Sequence, residues 1–126
     1  MRRSVLIVDD DVDIREILAE TLGEAGFDVA TAANGRDALA VVRDLSVRPS
    51  VILLDLMMPI MDGYGFLEQR RLDPTLASIP VAILTAGHGI DRERIGDGIP
   101  IVRKPFETQH LVGILHDLDS ARARSG

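Results

Sequence analysis

The chain has 126 residues and a formal net charge of −6, with 46% hydrophobic and 27% charged residues. This length fits one domain that can bury a core of its own. The absence of cysteine excludes disulfides, thiolate metal sites and thiol catalysis. The negative charge gives nucleic acid no electrostatic reason to bind, and no apolar run is long enough for a membrane span or a signal peptide. We therefore predict a cytoplasmic protein that binds neither nucleic acid nor membranes directly.

Apolar runs and helical stripes alternate along the chain, which predicts alternating strands and helices. The first run, Val5 to Val8, is continuously apolar and ends in acids, as expected of a strand buried on both faces. Residues 27–31 alternate like a half-buried edge strand. Three further runs predict strands at 51–54, 81–84 and 101–102.

Four helices are predicted between and after these strands. Apolar residues at helical spacing predict the first two helices. The first helix contains Ile14, Ile17, Leu18, Leu22 and Ala25, and the second contains Ala38, Leu39, Val41, Val42 and Leu45. A third helix begins near Phe66 and stops before Pro74, and the last runs through Leu111, Val112, Leu115 and Leu118.

The stretch from Gly87 to Gly98 contains four glycines, so any helix there is expected to be short. Residues 120–126 carry no apolar pattern, which predicts a disordered C-terminal tail.

Strands separated by helices favour a single doubly wound α/β domain, with a five-stranded parallel sheet and helices on both faces. In such sheets, ligands bind at the carboxyl ends of the strands. Residues that follow four different strands are therefore expected to meet at one edge. They are Asp9 and Asp10 after the first strand, Asp55 after the third, Thr85 after the fourth and Lys104 after the fifth.

These residue types together favour phosphoryl chemistry. Three carboxylates at one edge repel one another unless a cation neutralises them, and oxygen ligands without His or Cys favour Mg²⁺. A lysine can hold a phosphoryl oxygen, and a threonine hydroxyl can donate to another. One aspartate is then either a metal ligand or a nucleophile that takes up the phosphoryl group.

Five segments resemble the receiver domain of two-component response regulators, and the resemblance spans roughly residues 4 to 118. They are Val-Leu-Ile-Val-Asp-Asp at 5–10, Leu-Leu-Asp-Leu-Met-Met-Pro at 53–59, Met-Asp-Gly at 61–63, Thr-Ala at 85–86 and Lys-Pro-Phe at 104–106. The resemblance implies a flavodoxin-like sheet in strand order 2-1-3-4-5. We predict that the receiver domain extends over residues 1–119.

The resemblance also implies a phosphorylation-dependent signalling switch. Asp55 would accept a phosphoryl group from a histidine kinase or a histidine phosphotransfer protein. Mg²⁺ would be bound by Asp10, Asp55 and the backbone carbonyl of Met57, with Asp9 acting through water. The phosphoryl group would pair with Lys104 and be sensed by Thr85.

Further expectations follow from the same resemblance. The Lys104–Pro105 peptide bond would be cis, which is a conformation confined almost wholly to X-Pro bonds. The domain would not be an enzyme, except that it would promote phosphotransfer to Asp55 and hydrolysis of the phosphoryl group there. It would regulate an unknown downstream protein and can form a homodimer. The chain would be a stand-alone regulator or a fragment of a longer one.

Two features depart from the family pattern. Family members usually carry an aromatic residue three positions before the lysine, where this chain has Ile101. The interval from Thr85 to Lys104 is also shorter than usual, with the loss in the glycine-rich stretch. We therefore hypothesise that signalling here does not use the coupling between the threonine and an aromatic side chain.

Two alternatives are compatible with parts of the sequence. The altered Ile101 and the short fourth helix slightly favour a phosphorylation-independent adaptor with the same fold. Asp9, Asp11, Thr85 and Lys104 also stand in the order found in haloacid-dehalogenase-like phosphatases, with Asp9 as nucleophile, but Asp55 would then have no role.

Overall fold

A computed structural model describes residues 3–44 and 48–125 and contains one five-stranded, all-parallel sheet in the order β2-β1-β3-β4-β5. The strands are β1 (Arg3–Val8), β2 (Phe27–Ala32), β3 (Val51–Leu54), β4 (Val81–Thr85) and β5 (Ile101–Arg103). The predicted fold class and strand order are thus confirmed.

Six helices connect and cover these strands within the described residues. They are α1 (Val12–Glu24), α2 (Gly35–Arg43), α3 (Gly63–Leu72), α4 (Pro74–Ala77), α5 (Arg92–Ile95) and α6 (Thr108–Ser125). None of them, within those residues, is both long and apolar enough to cross a lipid bilayer.

The alternation of side chains along the strands produces two separate cores. Leu6, Ile52 and Leu54 lie in the core on one face of the sheet, together with buried residues of α2, α3, α4 and α5. Val5, Leu53 and Leu84 lie in the core on the opposite face, with α1 and α6. All four residues of β3 are buried, which explains its continuously apolar sequence.

The stripe predicted for α1 is only partly in the core. Leu18 and Leu22 are buried, but Ile17 is 57% exposed. In α2, Ala38, Leu39 and Val42 are buried as the spacing predicts. Leu45, the last residue of that predicted stripe, lies outside the described residues.

Two helical segments differ from the prediction. The chain forms α4 directly after α3, because the Asp73 side chain accepts from the Thr75 N–H and Pro74 suits the first turn of a helix. The C-terminal region expected to be disordered from residue 120 is helical through Ser125. This segment contains Ala121 and Arg122, which are good helix formers, and no glycine interrupts it before Gly126.

The glycine-rich stretch contains only the four-residue helix α5, as the sequence predicts. Asp91 caps its start by accepting from the Glu93 and Arg94 N–H groups. Gly96 ends it with a φ of 95°, a conformation that favours glycine.

Candidate functional site

Three aspartates from two strand ends converge at the carboxyl edge of the sheet. Asp9 and Asp10 follow β1, Asp55 follows β3, and one carboxylate oxygen from each lies within 4.8 Å of the others. Asp9 and Asp55 are buried, whereas Asp10 is exposed. Backbone hydrogen bonds hold both buried aspartates in the sheet: the Asp9 N–H donates to Ala32 O, and the Asp55 N–H donates to Val8 O.

Lys104 extends from the end of β5 into this cluster. Its Nζ lies 2.8 Å from Asp9 Oδ2 and 3.7 Å from Asp55 Oδ2. The second oxygen of Asp9 accepts from the Asp11 N–H at 3.0 Å. Both Asp9 oxygens are therefore engaged within the protein, while the Asp10 carboxylate is exposed.

The electrostatics of the cluster affect the two partners differently. Burial raises the pKa of the Asp55 carboxyl, the charge of Asp9 raises it further, and Lys104 lowers it. Burial of Lys104 works against its charged form, yet the hydrogen bond to Asp9 and the charges of Asp55 and Asp9 raise its pKa. The Lys104 ammonium thus stays charged beside Asp55, whose ionised form is unfavourable because it is buried next to Asp9. A bound cation would lower the cost of ionising Asp55.

The donor set of this edge fits a hard divalent cation. It offers three clustered carboxylates, with no His or Cys among the grouped residues. Oxygen-only ligands with room for water are typical of Mg²⁺ sites.

The loop from β3 to α3 is pressed against the Asp55 backbone. A Cβ added at Gly63 would lie 2.5 Å from the Asp55 carbonyl oxygen, so only glycine fits there. The Gly63 N–H donates to Leu56 O at 3.0 Å, which fixes the first residue of α3 next to Asp55.

Ile60 forms the apex of the same loop in a strained conformation. Its φ is 70°, and the Met61 N–H donates to Pro59 O at 2.7 Å, which together describe a γ-turn centred on Ile60. Among the described residues it is the one non-glycine with a positive φ, and its side chain is 75% exposed. A β-branched residue in this region of φ costs free energy that burial does not offset here.

Thr85 is fully buried at the end of β4, and its Oγ1 accepts from the Gly87 N–H at 3.1 Å. A Cβ at Gly87 would meet Met57 Cγ at 3.5 Å, so the exposed Met57 side chain lies over Gly87. The Met57 N–H donates to Asp55 Oδ1 at 3.3 Å. The Lys104 N–H donates to Thr85 O, and the Lys104–Pro105 peptide bond is cis.

Arg15 is a site neighbour that sequence reasoning missed. Its guanidinium donates to the Asp9 carbonyl oxygen at 2.7 Å and so ties α1 to the end of β1. Its place in the first turn of α1, shortly after Asp9 and Asp10, is a signal, but the sequence alone does not show towards which strand the side chain points.

The strand order and the aspartate–lysine edge define a receiver-type α/β domain, and comparison with known proteins agrees. Residues 5–116 match the response regulator receiver domain family, so the chain belongs to that family. In fold it resembles the chemotaxis protein CheY4 of Vibrio cholerae, with a TM-score of 0.83 and 32% sequence identity over 94% of this chain and 99% of that one.

Two curated relatives are longer than this chain. The probable transcriptional regulator ycf27 of Pyropia yezoensis is 40% identical over 87% of this chain and 44% of its own length. The DNA-binding response regulator MtrA of Mycolicibacterium paratuberculosis is 36% identical over 89% of this chain and 49% of its own length. The chain therefore spans about half the length of these relatives.

Proposed function

We propose that this receiver domain is a signalling switch that accepts a phosphoryl group on Asp55 from a histidine kinase or a histidine phosphotransfer protein. In this step an Asp55 carboxylate oxygen forms a bond to phosphorus while the bond from phosphorus to the donor's histidine nitrogen breaks. The observation that carries the proposal is the position of Lys104 Nζ, 3.7 Å from Asp55 Oδ2 and 2.8 Å from Asp9 Oδ2. A fixed ammonium at this point can hold a phosphoryl oxygen.

Asp10, Asp55 and the Met57 carbonyl are the proposed Mg²⁺ ligands, with Asp9 acting through water. The engagement of both Asp9 oxygens supports its indirect role, since neither is free for a metal without giving up a partner. When bound, Mg²⁺ supplies positive charge that offsets the carboxylates and the incoming phosphoryl group.

The experiment that tests this function is Mg²⁺-dependent labelling with acetyl phosphate, followed by borohydride trapping to locate the acyl phosphate. We expect label at Asp55 in the wild type and none in Asp55→Asn. Asp97→Asn, which removes an exposed carboxylate near α5, is the matched control and should label like the wild type. Label on Asp9, or none on the wild-type chain, would contradict the proposal.

The two alternatives from the sequence are not favoured. A phosphatase with Asp9 as nucleophile needs that carboxylate free, yet Asp9 is 2% exposed and bonded to Lys104 and the Asp11 N–H. A phosphorylation-independent adaptor would leave the convergence of Asp55, Asp10 and Lys104 without a purpose.

We also propose that solvent access sets the lifetime of the phosphoryl group. Met57 and Gly87 lie next to each other beside Asp55 and Thr85, and neither carries an acid or amide that could orient the attacking water. Met57→Asn and Gly87→Glu should therefore change the hydrolysis rate of the acyl phosphate. Rates equal to the wild type in both variants would remove this idea.

The names of the relatives concern partners of longer chains. Both describe transcriptional or DNA-binding regulators, and this chain matches only about half of each. For this chain, we still predict no direct binding of nucleic acid, because its net charge is −6. The downstream partner, homodimerisation, the cytoplasmic location and the domain limits at 1 and 119 likewise remain predictions.

A further inference from the structure

The short helix α5 is attached to α3 rather than to β5. It has four residues and buries only Ile95, and a helix of this length is unstable without tertiary contacts. An open groove of about 330 Å³, lined by Ile90, Arg92, Ile101 and Arg103, lies at the surface between it and β5. The contacts that fix α5 are therefore on its other side, towards α3.

Three side chains on one face of α3 contact α5 along its whole length. Tyr64, Glu68 and Arg71 are spaced by four and then three residues, so they lie on the same side of the helix. We call them the α3 clamp. They reach the start, the middle and the end of α5 respectively.

Each contact of the α3 clamp is a polar one. The Asp91 N–H, at the N-cap of α5, donates to the Tyr64 hydroxyl oxygen at 2.9 Å. The Arg94 guanidinium donates to Glu68 Oε1 at 2.6 Å and lies 4.6 Å from the centroid of the Tyr64 ring. Arg71 donates to the Ile95 carbonyl at 2.6 Å and also to the Arg94 carbonyl.

The N-terminus of α3 contacts the backbone of Asp55. Gly63 is the first residue of α3, and its backbone is so close to the Asp55 carbonyl that a Cβ would lie 2.5 Å from that oxygen. Tyr64 is the next residue. One peptide unit therefore separates the backbone contact with Asp55 from the side chain that binds the N-cap of α5.

We infer that Tyr64, Glu68 and Arg71 are positioning residues that transmit the state of Asp55 to α5 through α3. This inference rests on the proposed phosphorylation of Asp55. The route through β5 is weaker, because Ile101 is only half-buried and lines the open groove between β5 and α5. Any shift of the loop from Asp55 to Gly63 moves the N-terminus of α3 and, with it, all three contacts of the α3 clamp.

The test is amide hydrogen exchange of residues 91–96 with and without beryllium fluoride and Mg²⁺, which mimic the acyl phosphate. In the wild type we expect these exchange rates to change by at least about fivefold, the lower end of typical couplings between sites. In Arg71→Met, and independently in Tyr64→Phe, the response should be lost while acetyl phosphate still labels Asp55. All three clamp side chains lie at the surface or are half-buried, so these variants keep the core intact.

Two control variants make the outcome decisive. Arg36→Met removes an exposed arginine from α2, and Ile101→Ala shortens the side chain on the β5 route; both should respond like the wild type. A response retained in Arg71→Met and Tyr64→Phe, or lost in Ile101→Ala, would overturn the inference. A wild type that is labelled at Asp55 without any α5 response would overturn it alone, whereas a wild type that is not labelled would overturn the proposed function as well.

Discussion

The acceptor edge, at the carboxyl ends of the strands, and the α5 segment, residues 87–98, are built in opposite ways. At the acceptor edge, Asp9 and Asp55 follow strands whose last four residues are buried, Thr85 is the buried last residue of β4, and backbone hydrogen bonds hold each of them. Around α5, four glycines surround a four-residue helix that side chains of α3 hold in place. The rigid region suits chemistry, which needs fixed charges, and a short helix held by a few side-chain contacts suits a change of conformation.

The largest effect is expected from a substitution in the rigid acceptor edge. Lys104→Arg should fold normally and bind Mg²⁺, because the aspartates are untouched. It should lose the α5 exchange response, since a planar guanidinium cannot take the position of a compact ammonium between Asp9 and Asp55.

The measurement for Lys104→Arg is the exchange of residues 91–96 with beryllium fluoride, alongside a thermal unfolding curve. Arg103→Lys is the matched control, because Arg103 is exposed and directed away to the Gly87 carbonyl. A response in Lys104→Arg equal to that of the wild type would show that the lysine geometry is not required.

The next largest effect concerns the stability of the core under the acceptor edge and under α5. Leu54→Ala should lower the free energy of unfolding by about 4 kcal/mol, because Leu54 is enclosed in the central strand and the cavity cannot collapse. Ile95→Ala should cost about 2 kcal/mol, since the flanking glycines let the segment move into the space. Denaturant unfolding measures both, and equal losses would contradict the described difference in rigidity.

A smaller effect concerns the charge of Asp55. Because its pKa is raised in the folded protein, the folded state holds this proton more tightly than the unfolded chain. That stabilisation is present below the ordinary value of 3.8 and is lost as the pH rises through the folded pKa. At neutral pH without Mg²⁺, Asp55→Asn should therefore be more stable than the wild type, because the variant carries no buried charge at this position.

Unfolding of Asp55→Asn and the wild type with a metal chelator, at neutral and at acidic pH, checks this sign. The advantage of the variant should disappear at acidic pH, and added Mg²⁺ should reduce it at neutral pH by stabilising only the wild type. A variant less stable than the wild type at neutral pH would show that ionised Asp55 is not costly.

The smallest effect concerns the strained apex of the acceptor loop. Ile60→Asn should raise the free energy of unfolding by about 0.5–1 kcal/mol, because Asn tolerates the left-handed conformation that a β-branched residue does not. Leu72→Asn, another exposed apolar residue but in a helix, is the control and should bring no gain. A loss of stability in Ile60→Asn would show that the isoleucine side chain makes stabilising contacts.

The sequence predicted the acceptor edge better than the α5 segment, and the reason is physical. Continuous apolar runs such as 51–54 mark buried strands, and parallel strands bring their carboxyl ends to one edge whatever the loops do. The position of α5 depends instead on single side-chain contacts, such as the one from Asp91 to Tyr64, between residues far apart in sequence. No periodic pattern records such a pairing.

By itself, the sequence determined the strand order expected of the family, the aspartate–lysine edge, the shortness of α5 and the cost of clustering three carboxylates. Only the tertiary structure decided that Ile17 faces solvent although it fits the stripe of α1, that Ile60 adopts a positive φ, and that α3 holds α5. Local periodicity reports which elements form and which strand ends meet. The final direction of a side chain depends on the neighbour that the folded chain places beside it, and that neighbour comes from elsewhere in the sequence.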